Sequence, residues 1–132
     1  MSHLKPKTQP ETHIRRQVRD YLRVKGYFTW RNAQSAISEK GIPDLMAVRL
    51  TKRAEFKQII EKALSGEVVR QDMLLDRIYD VLEGEGLMCM FEAWEIKTAT
   101  GKISEHQERF IAELKAQGCR RAGVARRYED VE

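Results

Sequence analysis

Between Met88 and Lys97 the chain stays almost continuously apolar until it ends on Glu95, Ile96 and Lys97. A run of this kind reads as a β-strand buried on both faces. That demand constrains the rest of the chain, because helices must cover the sheet to which such a strand belongs. The flanking sequence supplies them. Ile14, Val18, Tyr21 and Leu22 recur at helical spacing. Thr8, Gln9, Pro10 and Glu11 fit a capping box, with the proline in the first turn, and Gly26 closes this helix. Its outward face is basic, with Arg15, Arg16, Arg19 and Arg23, and Glu11 falls near the inward stripe. Ser104 and Gln107 repeat the capping-box spacing before the apolar stripe Phe110, Ile111 and Leu114, and Gly118 ends that second helix.

Shorter signals fill the intervals. Tyr27 to Trp30 predicts a strand by its aromatic and β-branched content. Asn32 to Lys40 reads as a polar loop leading into the turn Gly41-Ile42-Pro43-Asp44, and Leu45 to Leu50 as a second strand. From Lys52 to Gly86, Phe56, Ile59, Ile60, Ala63 and Leu64 follow the helical period. Ser65 and Gly66 break it, and Leu74, Ile78, Val81 and Leu82 restart it, which predicts an inserted helical pair at about 52–86. Cys119 to Arg126 predicts a last strand; Met1 to Gln9 and Tyr128 to Glu132 read as tails. Without the insertion the order is αβββαβ, an α/β fold with a mixed sheet flanked by helices.

The 132 residues predict one domain with a single core, carrying the hairpin as an insertion. Hydrophobic residues make up 42% and charged residues 33%, a globular rather than disordered composition. The net charge of +4 is unevenly spread: the inserted stretch carries −2, so the remainder carries +6, which points to a polyanionic partner. Cys89 and Cys119 lie in apolar runs, which predicts buried thiols and a reducing cytoplasm rather than a disulfide scaffold. Two cysteines and three scattered histidines exclude a zinc finger. No apolar run approaches the roughly 20 residues that span a bilayer, and the N-terminus carries no secretory pattern. The expectation is no membrane partner and no small-molecule cofactor.

Chemistry concentrates at the end of the apolar run. Alternation puts Glu95 and Lys97 on one face of the strand while Trp94 and Ile96 turn into the core. An acid and a base so placed suit a divalent metal, with the ammonium holding a water or a phosphate oxygen beside it. Magnesium takes one or two carboxylates plus substrate phosphate. Asp44, at the head of a strand after the rigid Gly41–Pro43 turn, offers the second carboxylate.

The set Gly41, Pro43, Asp44, Leu45, then Glu95, Ile96, Lys97, then Gly101, Ser104 and Gln107 resembles the VRR-NUC nucleases (virus-type replication-repair nucleases) of the PD-(D/E)XK superfamily. Glu11 matches that family's glutamate on the first helix. The resemblance implies a restriction-endonuclease-like αβββαβ core and a metal-dependent DNA endonuclease using Mg2+, with Mn2+ as a substitute. It implies that Asp44 and Glu95 are metal carboxylates, with the backbone carbonyl of Ile96 a further ligand. Lys97 then orients the attacking water or stabilises phosphate charge. Glu11 extends the acidic cluster, and Gln107 hydrogen-bonds beside Lys97. The family connects its aspartate strand to its Glu-x-Lys strand briefly, whereas here fifty residues intervene.

Plainer readings stand beside these. Glu11 and Gln107 are also capping residues, Asp44 is also a turn residue, and Glu95 with Lys97 is also an ion-pair ladder. Trp30 reads as a core residue, and His13 and His106 as surface residues. For DNA contact the candidates are Lys102, Arg15, Arg19, Arg31, Arg120 and Arg121, with Arg126 and Arg127 adding to the last cluster. The family resemblance implies a homodimer acting on branched duplex, at a Holliday junction or flap, and the amphipathic faces of the insertion suit a dimer interface. The rival functions are a non-catalytic DNA-binding or scaffold protein on the same fold, and a sequence-specific restriction-type nuclease.

Overall fold

The computed structural model describes residues 9–32, 40–64 and 72–132. The element order is α1 (Glu11–Val24), β1 (Phe28–Arg31), β2 (Leu45–Leu50), α2 (Arg53–Ala63), α3 (Asp72–Gly84), β3 (Cys89–Ile96), α4 (Glu105–Ala116), β4 (Arg121–Ala125) and a terminal 3-10 turn, Tyr128–Val131. The fold is α/β, with a four-stranded mixed sheet in the order β1-β2-β3-β4 among the described residues. β1 and β2 are antiparallel, with Arg31 opposite Leu45. Hydrogen bonds from Ile96 N to Asp44 Oδ2 and from Thr51 N to Met88 O mark opposite ends of the next pair, so β2 and β3 also run antiparallel. β3 and β4 are parallel, with Glu95 opposite Val124, and α4 makes the crossover that such a pair needs.

The chain divides into two compact units. The first comprises Met1–Val48 and Phe91–Glu132, the second Arg49–Met90. Where the sequence predicts one domain with an insertion, the inserted stretch makes a compact unit of its own.

In the first unit both faces of β3 are covered, as its apolar run requires. On one face Ala93, Ala122 and Ile111 form a cluster with Met46, Phe91 and Leu114. Burial at every position from Glu92 to Ile96 shows that the other face is closed as well, while α1, which packs on β1 and the terminal turn, buries Ile14, Val18 and Leu22. Gly26, at φ +89°, ends α1: its N–H reaches the Arg23 carbonyl and that of Tyr27 reaches Leu22. Tyr27 is thereby buried in the helix stop, which delays β1 by one residue relative to the sequence expectation. The expected C-terminal tail is structured: Val131 is fully buried, and the 3-10 turn packs on α1. The expected box on α1 is displaced. Pro10 occupies the cap position without a side-chain bond, so Glu11 is the first helical residue and not the third. The expected N-terminal tail up to Thr8, the loop interior 33–39 and the Ser65-Gly66 break lie outside the described residues.

In the second unit Phe56, Leu75, Tyr79 and Met88 pack together, with Ile60 and Leu82 at their edge. Of the expected stripe Leu74, Ile78, Val81 and Leu82, only Leu82 meets this cluster, half-buried, while the other three are exposed; the buried positions of α3 are Leu75 and Tyr79. Tyr79 decides this: its ring meets Phe56 edge-on at 5.8 Å, Arg53 lies 4.6 Å over it, and its hydroxyl donates to the Thr51 carbonyl. Arg49 grips Glu55 through two bonds of 2.6 Å, and Glu55 also accepts from Lys52 N. Cys89 is exposed, against the expectation of a buried thiol, while Cys119 is half-buried with its Sγ toward the Phe91 carbonyl; both are free. Among the described residues no helix is long and apolar enough to cross a membrane.

Candidate active site

Asp44 is held before its side chain does anything. Asn32 Nδ2 donates to the Pro43 carbonyl at 2.9 Å, and Asn32 N to the Asp44 carbonyl at 2.9 Å. From the other side Gly41, at φ +88°, lies flat against the first turn of α4. A Cβ there would overlap the His106 carbonyl and come within 2.9 Å of Gln107 N. Only glycine fits both the positive φ and that approach. The Gly-Ile-Pro-Asp turn is thus fixed between β1 and α4, and Asp44 emerges at the head of β2 only 8% exposed.

Its carboxylate meets the end of β3, where Oδ2 accepts from Ile96 N at 3.0 Å. In a strand the N–H and C=O of one residue leave the backbone on the same edge. The Ile96 carbonyl therefore faces the side that Asp44 occupies. Glu95 is 3% exposed, so the expectation that Glu95 and Lys97 share a surface holds only for Lys97, whose side chain is 19% exposed. Gln107 Nε2 donates to Glu95 Oε1 at 2.8 Å, and Lys97 Nζ lies 3.6 Å from the same oxygen. Gln107 simultaneously completes the box of α4, its Oε1 accepting from Ser104 N and its N–H donating to Ser104 Oγ. The capping role and the site role are thus one conformation of one side chain.

Glu95 Oε2 is buried and meets no hydrogen-bond partner among the described residues. Leaving such an oxygen bare is costly, and more so if it is charged. Burial, and after it the nearby Asp44 charge, push the Glu95 carboxyl up to about 7 against the opposing pull of Lys97. Two buried carboxyls beside one ammonium leave a deficit of positive charge. A hard divalent cation suits this donor set: carboxylate oxygens with one position open, and a backbone carbonyl on the same edge. Among the described residues no three His, Cys, Asp or Glu side chains gather to hold a metal, so the side-chain donors here are the two carboxylates alone.

The structure brings Asp44, Glu95, Ile96, Lys97 and Gln107 together. It does not bring Glu11 to them: that side chain pairs with Arg15 Nη2 at 3.3 Å on its own helix. Lys102 is exposed in the turn after β3. Arg126 secures that turn, its Nη1 donating to the carbonyls of Thr98 and Gly101 at 2.7 Å each. Arg121 serves the core, donating to buried Glu92 at 3.3 Å and to the Val131 carbonyl, 5.5 Å from the Trp94 ring. Glu92 also accepts from Trp94 Nε1 at 2.9 Å. Arg120 is exposed, and Arg127 pairs with Asp130. Arg15, Arg19 and Arg31 line a cavity between α1 and β1. Trp30 is 37% exposed rather than a core residue, and His13 and His106 are exposed as expected.

Sequence reasoning missed Asn32 and Glu92. A single asparagine after a short strand carries no pattern. Glu92 is one polar position in an apolar run, and only its cross-strand partner Arg121 reveals its use.

Comparison with family models, with curated proteins and with solved structures finds no match to this chain.

Proposed function

We propose that the chain is a metal-dependent DNA endonuclease, built on a restriction-endonuclease-like core of the VRR-NUC type, that hydrolyses phosphodiester bonds in branched duplex. The observation that carries this reading is the convergence of Asp44, Glu95 and Lys97 at one strand end, with one buried carboxylate oxygen left without a partner among the described residues. Asp44, Glu95 and the Ile96 carbonyl are the residues that would hold Mg2+ or Mn2+. Bound there, the ion supplies Lewis-acid stabilisation of phosphate charge and lowers the pKa of a bound water.

The chain's own residues do the rest. The Ile96 N–H occupies one Asp44 oxygen and fixes the rotamer of that carboxylate. Gln107 does the same for Glu95 by holding Oε1, which leaves Oε2 as the oxygen available to a ligand. Lys97 carries three donors on a partly exposed ammonium. It can hold a water for attack and share the charge that builds on the phosphate. Asn32, Gly41 and Arg126 act through the backbone, setting where the two strand ends and the Lys97 turn lie.

Two further features fit the reading. The free thiols of Cys89 and Cys119 suit a reducing cytoplasm. Apolar side chains exposed on α2 and α3 suit a homodimer.

Cleavage of a panel of DNA substrates (junction, flap, nick and plain duplex) with Mg2+ or Mn2+ tests the proposal. Wild type should cut, and Lys97→Ala should bind DNA but not cut. Cutting that survives both Asp44→Ala and Lys97→Ala removes the site. DNA binding without cutting by the wild type favours the scaffold reading, and cutting of plain duplex at one fixed sequence favours the restriction-type reading.

A further inference from the structure

Arg15, Arg16, Arg19 and Arg23 of α1 face Arg31 of β1 across a cavity of about 270 Å³. Among the described residues that line it, none is acidic. Arginines at i, i+4 spacing, as at Arg15/Arg19 and Arg19/Arg23, oppose helix formation by their mutual repulsion. Their carboxylate neighbours offset only part of this: Arg15 pairs with Glu11, and Arg19 with Asp20. Arg23 spends its Nε on the Thr29 hydroxyl, and neither Arg16 nor Arg31 has an ion-pair partner among the described residues. A plain solvated face does not account for Arg15, whose side chain is only 15% exposed and whose Nε is buried without an acceptor among the described residues. A buried donor without an acceptor, inside a ring of cations, calls for an anion.

The cavity lies at the end of the sheet that carries the carboxylates. Arg31 pairs with Leu45, which lines the cavity and directly follows Asp44. Guanidinium groups are the side chains best matched to phosphate oxygens. The volume is small beside the ~300–1,000 Å³ of ordinary ligand pockets, which suits a phosphate group better than a large cofactor.

We propose that this cavity is a phosphate-binding subsite that takes backbone phosphates of a nucleic-acid strand; the choice of nucleic acid over other polyanions rests on the nuclease reading above. Held there, the strand is anchored one residue from Asp44 along β2, so the subsite positions the substrate without taking part in the chemistry.

The test is binding of a labelled flap-bearing DNA duplex in EDTA, followed by fluorescence anisotropy across a salt series. Arg16→Gln/Arg31→Gln removes two exposed cations that have no ion-pair partner among the described residues, and leaves the fold intact. It should raise Kd about tenfold and lower the salt slope by about 1.5, the loss of two phosphate contacts. Arg77→Gln/Lys115→Gln, the same charge change at exposed positions elsewhere, should move neither by a comparable amount. Unchanged Kd and slope in the first pair, or equal losses in the second, overturn the proposal. Wild type that is stabilised by inorganic phosphate but binds no DNA overturns the assignment to nucleic acid. DNA binding with the expected slopes but no cutting in Mg2+ supports the subsite and rejects the nuclease reading, so the two can fail separately.

Discussion

The Asp44 carboxylate accepts a hydrogen bond of 3.0 Å from the backbone N–H of Ile96, a residue 52 positions further along the chain. One bond thus ties the head of β2 to the end of β3 and sets an aspartate beside the Glu95–Lys97 couple. The second unit, Arg49–Met90, is entered from β2 and left into β3, so the long insertion leaves that closure intact.

In the proposed nuclease Lys97 carries part of the chemistry and little of the fold, since it is partly exposed and its charge partner lies 3.6 Å away. Lys97→Ala should lower the cleavage rate at least ~100-fold, the scale of a lost electrostatic or proton-handling group, with a change in Tm of no more than a few degrees. Single-turnover cleavage beside thermal unfolding checks both halves. A large fall in Tm would show that the lysine is structural.

Gln107 joins the helix cap to the site, and substitutions can separate the two. Ser104→Ala removes the cap acceptor and should cost about 1 kcal/mol of stability while leaving cleavage within a few-fold. Gln107→Glu keeps a good capping residue but sets a carboxylate against Glu95, so cleavage should fall far more than stability. Denaturant unfolding and kcat on the same two proteins decide it.

Glu95 makes the metal-free protein sensitive to pH. Its folded pKa of about 7 lies above the ordinary 4.5, so the folded state binds the proton more tightly than the unfolded chain. Stability in EDTA is therefore greatest at low pH as far as this group is concerned, falls as pH rises from about 4.5 to about 7, and stays lowered above that. Glu95→Gln should abolish this term and stabilise the metal-free protein at pH 8, by on the order of 2–3 kcal/mol, while eliminating cleavage. Thermal unfolding at pH 5 and pH 8 in EDTA measures the effect. A variant no more stable than wild type at pH 8 contradicts the buried-charge picture.

Gly41 has no permissible replacement. Gly41→Ala meets both the strain of φ +88° and an overlap with the backbone of His106, and should cost more than ~2 kcal/mol. Gly26→Ala, at a similar φ of +89° but with nothing within 4 Å of the new Cβ, is the control for strain alone and should cost less. Urea unfolding of both variants isolates the contact with α4.

The exposed apolar side chains of the second unit bear on assembly. Leu74, Ile78 and Val81 stand out from α3 while Leu75 and Tyr79 turn inward. A homodimer through this face predicts a solution mass of twice 15.4 kDa, reduced to the monomer by Ile78→Glu with the Tm transition retained. Light scattering on both proteins reads this directly, and a wild-type monomer removes the dimer.

Much of this was legible in the sequence because periodicity and end signals carry it. The run from Met88 to Lys97 announces a strand covered on both sides, and Gly26 and Gly118 stop their helices where expected. The Ser104–Gln107 box sets the start of α4 to the residue. What was not legible depends on partners distant in the chain. On α3 the periodicity places Leu82 inward correctly but favours Leu74 and Ile78 over Leu75 and Tyr79, because Leu74 and Leu75 are equally apolar and only the Tyr79 hydroxyl and ring contacts choose between them. The depth of Glu95 followed from α4 closing over β3, and the use of Arg121 in the core from a buried Glu92 that alternation alone does not explain.

The most direct measurement is the anomalous difference map of a crystal soaked in Mn2+. The prediction is a peak bonded to an Asp44 oxygen, to Glu95 Oε2 and to the Ile96 carbonyl, with Lys97 Nζ beside it. A map with no peak between these groups, or with the two carboxylates turned away from each other, would contradict the metal-centred reading at its root.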